Sequence, residues 1–133
     1  MRGNIMYNIQ KDRFKHKRSK ARLVPGEYRA TVQSVRCPDG FEEGNAVEIV
    51  YSVQMKDGKQ IEYPERYFIV EPYSERTLLF LEYIFDELEL ENVDDLVGMV
   101  FRLKLEFQVR NHHRFLNITD LNFAPHFSLK TCL

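Results

Sequence analysis

Polarity alternates along most of the chain, and its period changes once. From Glu27 to Val35, Tyr28, Ala30, Val32 and Ser34 share one face while Arg29, Thr31 and Gln33 share the other. A period of two is the mark of a half-buried strand. Ala46 to Met55 alternates more strongly, with Val47, Ile49, Tyr51, Val53 and Met55 on one side. Asp57-Gly58 then predicts a type I′ hairpin, in which both central residues take positive φ. Gln60 to Val70 returns as a third strand, and Pro64 within it predicts an edge or a bulge, because proline donates no ladder hydrogen bond. The period lengthens over "SERTLLFLEYIFDELEL", where Leu78, Leu81, Phe85 and Leu88 recur at helical spacing behind a capping Ser74. Asp94 to Gly98 reads as a connector. Met99 to Arg110 is the cleanest strand, with Phe101, Leu103, Leu105, Phe107 and Val109 inward and Arg102, Lys104, Glu106, Gln108 and Arg110 outward. "NHH" turns the chain, and Arg114 to Leu121 makes a fifth strand.

The element order is therefore β-β-β-α-β-β. It predicts a mostly β domain: a five-stranded, OB-fold-like Greek-key barrel with one helix between strands 3 and 4. The domain spans residues 24–122, and the turn signal Pro25-Gly26 marks its start. Residues 1–23 lack a sustained period and form a basic N-terminal arm, either disordered or briefly helical. Residues 123–133 form a C-terminal tail without usable pattern. A chain of 133 residues suits one domain with a real core.

Charge sharpens this division. Net charge is −1, yet residues 1–23 carry eight Lys or Arg (Arg2, Lys11, Arg13, Lys15, Lys17, Arg18, Lys20, Arg22) against Asp12 alone. The body is correspondingly acidic. Such asymmetry points to a polyanionic partner, or to an arm that folds back on the acidic body. No apolar run reaches membrane-span length, and no apolar stretch follows the basic start, so neither a membrane partner nor a signal peptide is expected. Cys37 and Cys132 stand far apart and form no metal-ligand pattern, so reduced thiols and a cytoplasmic location are expected.

The segments "VPGEYRATVQSV", a strand closed by a "DGK" turn, an aromatic third strand, a Leu-rich helix and "DDLVGMVFRLKLEFQVR" resemble a family of small OB-type proteins of phages and mobile elements, regarded as single-stranded-DNA-binding or recombination accessory proteins. The resemblance covers roughly residues 23–122 and implies binding of single-stranded nucleic acid. The segment "HFSLKTCL" differs from the acidic, Phe-terminated tails of many bacterial single-strand binders.

Single-strand binding needs cations for phosphates and flat side chains for bases. The turn between strands 4 and 5 offers Arg110, His112 and Arg114, strand 3 offers Arg66 and Tyr67, strand 4 offers Arg102 and Lys104, and strand 1 offers Arg29. The arm adds Lys15, Lys17, Arg18 and Lys20. The parity of Tyr63 and Tyr67 with Ile61 and Ile69 equally fits core packing. Asp39, Glu42 and Glu43 in the first loop, and Glu62 and Glu65 in strand 3, oppose phosphate. Catalysis has little to stand on: Asp39 and Glu48 resemble the opening of a nuclease metal motif, but Val50 occupies the position that motif gives to lysine. There is no phosphate loop and no nucleophile elbow. A non-enzymatic binder without cofactor is expected, with single-stranded nucleic acid as partner; a protein-interaction or assembly module, including a homo-oligomer, is the rival.

Overall fold

In a computed structural model of the chain, residues 23–126 are described. The predicted strands form one antiparallel sheet: β1 (Gly26–Arg36), β2 (Ala46–Gln54), β3 (Gln60–Phe68), β4 (Val100–Arg110) and β5 (His113–Phe123), ordered β3-β2-β1-β4-β5. The helix α1 (Glu75–Glu82) lies between β3 and β4 in sequence. The two edge strands, β3 and β5, share no backbone ladder, so the sheet is not closed into a barrel. Pro64 sits on one of those edges, where its missing N–H removes no bond from the ladder.

One face of the sheet carries the core. Tyr28, Ala30 and Val32 of β1 meet Ile49, Tyr51 and Val53 of β2 and Phe101, Leu103 and Leu105 of β4. Alternation predicted these positions, with one change of phase. Between Val32 and Ser34 the register against β2 slips by one residue. The extra residue of a bulge reverses which side chains point inward. Val35, and not Ser34, then packs against the core.

Two turns also depart from expectation. At Asp57-Gly58 only the glycine has positive φ, 86°. Met55 donates to the Lys59 carbonyl at 2.7 Å, Gly58 donates to the Met55 carbonyl at 3.0 Å, and the Asp57 carboxylate accepts from Lys59 N–H at 3.0 Å. This is the longer hairpin loop that ends on a left-handed glycine. Consecutive positive φ values occur instead at Asn111 (51°) and His112 (66°), in the β4–β5 turn.

Ser74 caps α1 as predicted, accepting from Thr77 N–H at 3.1 Å. The buried face, however, is Thr77, Phe80 and Ile84, and Leu78 and Phe85 are exposed. A wider π turn at Tyr83–Glu87 follows the helix, and a short 3-10 turn at Val93–Leu96 places Leu96 in the core. The Phe80 ring stacks on Tyr67 with centroids 3.8 Å apart, which fixes the helix against β3. Among the described residues no helix is long and apolar enough to cross a membrane.

Candidate nucleic-acid interface

β4 outruns its inner neighbour. Its ladder to β1 ends where Gly26 pairs with Leu105, so Glu106 to Arg110 pair only with β5. The result is a two-stranded ribbon extending past the core. On one face lie Phe107, Val109, Arg114 and Leu116; on the other lie Glu106, Gln108, Arg110, His113, Phe115 and Asn117. Past Leu105 alternation continues, but β1 is no longer there to cover it. Val109 is accordingly 70% exposed and Phe115 48%.

The ribbon is cationic and aromatic on both faces. The Arg114 guanidinium lies 4.2 Å from the Phe107 ring centre. On the opposite face Arg110, Asn111, His113, Phe115 and Asn117 line an open recess. Asn117 donates to the Gln108 side-chain oxygen at 2.7 Å, which braces that recess, and the His113 and Phe115 rings stand 6.3 Å apart. From Phe107 to Asn117 there is no carboxylate in the sequence. Neither Arg110 nor Arg114 has a carboxylate partner among the described residues. Their charge is available to an anion from solution.

The other sequence candidates are differently placed. Arg102 is shared between Glu27 (3.3 Å) and Asp120 (3.4 Å), and Lys104 pairs with Glu106 at 3.1 Å. Arg66 is bound to Glu48 at 3.3 Å and lies over the Phe41 ring at 5.4 Å. Arg29, beside Arg102 in the register, contacts the Gln54 side-chain oxygen at 3.3 Å. Tyr67 is a core residue and not a stacking platform: it is 5% exposed, between Phe80 and the Arg76 guanidinium 4.0 Å away. His112 is exposed at the ribbon tip. Lys15, Lys17, Arg18 and Lys20 lie outside the described residues.

Sequence reasoning undervalued two aromatic positions. Phe107 has core parity, and Phe115 sits in a strand whose partner span could not be known; both are exposed because the ribbon outruns β1. It also gave no weight to Arg36, which with Arg66 brackets the buried Glu48 carboxylate. Phe41 and Phe68, with ring centres 5.5 Å apart, form a partly exposed pair beside that cluster.

Polar groups inside the fold serve the sheet edges. Tyr63 donates its hydroxyl to the Leu116 carbonyl at 2.9 Å, so a β3 side chain reaches β5. Glu65 pairs with Arg76 and accepts from the Ile118 backbone N–H, again across the two edges. Burial raises the Glu65 carboxyl above its ordinary range, and Arg76 pulls it back in part. Burial likewise raises the Tyr51, Tyr63 and Tyr67 hydroxyls above their ordinary range. No cluster of three or more His, Cys, Asp or Glu side chains suited to a metal ion occurs among the described residues. No protein-family model, curated protein or solved structure matches the chain.

Proposed function

We propose that this protein binds single-stranded nucleic acid without catalysing a reaction, and that the β4–β5 ribbon grips the strand. The observation that carries this reading is the ribbon itself: Arg110 and Arg114, without a carboxylate partner among the described residues, beside exposed Phe107 and Phe115. Cations without an internal partner gain most from a phosphate, because no existing ion pair must break. A base stacked on an exposed ring contributes roughly 1–3 kcal/mol and is tolerant of sequence. His112 and His113 add flat faces at the tip.

The finer architecture belongs to the same reading. The order β3-β2-β1-β4-β5, with the helix following β3, fits an OB-type Greek key opened between β3 and β5. The Tyr63 and Glu65 bridges across that gap support it. In such a plan the loop between strands 4 and 5 borders the binding groove, which is where the ribbon lies. An accessory role in a phage or mobile element rests on the sequence resemblance alone, and a cytoplasmic location on Cys37 and Cys132 read as reduced thiols.

The test is fluorescence anisotropy of a labelled oligo-dT with the full-length protein at low and moderate salt. Binding that weakens steeply with salt is expected, since each phosphate contact releases counterions. No binding at low salt removes the proposal.

A further inference from the structure

The negative charge of the body is concentrated in one place. Residues 71–95 hold nine carboxylates against Arg76 alone, whereas residues 24–70 and 96–133 together carry no net charge. This stretch comprises α1 and the two turns after it. Its inner side is occupied, with Thr77, Phe80 and Ile84 buried. Its outer side presents Leu78, Leu79 and Phe85, of which Leu79 is 59% exposed. Residues 78, 82 and 85 share a helical face, bordered by Glu75, Leu79 and Asp86. The outcome is a solvent-facing apolar strip set among exposed carboxylates.

We infer that this face is the docking site of the chain's own residues 1–22. The complementarity is twofold. That segment carries eight Lys or Arg against Asp12, opposite in sign to the nine carboxylates and close to them in number. It also carries Ile5, Met6, Tyr7, Ile9 and Phe14, apolar side chains of the kind that would cover Leu78, Leu79 and Phe85. Reach is not limiting. The described chain starts at Leu23, near the sheet end where Gly26 pairs with Leu105, while α1 packs at the opposite end through Phe80 and Tyr67. The length of β1, Gly26 to Arg36, separates them, roughly 33 Å at about 3.3 Å per residue, and 22 extended residues span up to roughly 70 Å. Cations held on the helix are withheld from a polyanion, so the docked segment restrains strand binding. That consequence rests on the nucleic-acid reading; the docking itself does not.

The test is zero-length carbodiimide cross-linking of the full-length protein, with linked peptides mapped from the monomeric band. Links from Lys11, Lys15, Lys17 or Lys20 to Glu75, Glu82, Asp86 or Glu89 are expected. They should fall by about fivefold or more between about 0.1 M and about 1 M salt, where the screening length drops from about 10 to 3 Å. The double variant Glu82→Lys, Asp86→Lys should lose them to a similar degree while its circular dichroism and unfolding midpoint stay unchanged, since both side chains are exposed. Coupling spread evenly onto Glu27, Glu43 and Glu62 of the sheet and its loops overturns the inference. So do links found only in a dimeric band, which would assign the face to a second copy.

Discussion

The Tyr63 hydroxyl and the Leu116 carbonyl, 53 positions apart in sequence, are joined by a hydrogen bond of 2.9 Å that ties one edge of the sheet to the other. No ladder connects β3 to β5, so side chains do what backbone pairing does elsewhere in the sheet. Tyr63→Phe keeps the ring and removes the donor. A loss of about 0.5–1.5 kcal/mol is expected, the usual net worth of such a bond. Urea unfolding reads it, and amide exchange along β5 should quicken in step. A variant as stable and as protected as the parent would show that the bond contributes nothing.

Glu65 crosses the same gap and should give the protein an unusual pH dependence. Burial raises its folded pKa above the ordinary 4.5, because the charged carboxylate is poorly solvated and Arg76 compensates only in part. Between the two values the folded chain holds the extra proton. Its contribution is therefore complete below 4.5 and is lost as pH rises through the folded value, the reverse of a salt-bridged surface acid. The stability difference between parent and Glu65→Gln should shift against the parent as pH rises from about 4 to about 8. A pH-independent difference would mean the carboxyl titrates normally.

The strands were legible because burial on one face imposes a period of two. Phe101, Leu103 and Leu105 point inward as their alternation required, and Ser74 caps the helix where a serine precedes an apolar run. What local pattern could not carry was anything set by a distant segment. Arg102 looks like a free outward cation until Glu27, 75 positions away, is brought beside it. Tyr67 alternates equally well as platform or core, and only the docking of Phe80 decides for core. The bulge after Val32 leaves no local trace, so Ser34 took the place that belongs to Val35. The exposure of Phe107 and Phe115 depends on β1 pairing no farther along β4 than Leu105, a boundary set by where β1 begins. The basic arm, the plainest signal in the sequence, lies outside the described residues.

The ribbon turn offers a means of separating backbone from side chain at the tip. His112 adopts a φ of 66°, a left-handed conformation that favours glycine and costs an ordinary residue roughly 1 kcal/mol. His112→Gly should therefore leave the ribbon as stable or slightly more so, as judged by amide exchange in residues 106–117. If the imidazole stacks on a base, the same variant loses oligonucleotide affinity by up to about tenfold despite the firmer turn, at the lower end of the stacking range. Unchanged affinity in anisotropy would leave His112 a turn residue only.

Pairing state, more than charge alone, should rank the arginines of the binding surface. Arg110 and Arg114 have no carboxylate partner among the described residues, whereas Arg102 is held by Glu27 and Asp120 and Arg66 by Glu48. A phosphate that recruits Arg102 must first displace two acids, and the exchange returns little. Arg110→Ala and Arg114→Ala should each weaken oligo-dT binding and reduce the slope of log affinity against log salt by about 0.7, the share of one single-strand phosphate contact. Phe115→Ala should lower affinity by roughly 1–3 kcal/mol with the slope unchanged, because a stack releases no counterion. Arg102→Ala should leave both nearly as they were, since its loss frees two acids on a different part of the sheet. Equal losses from Arg102→Ala and Arg110→Ala would move the interface from the ribbon to the open face of β1 and β4.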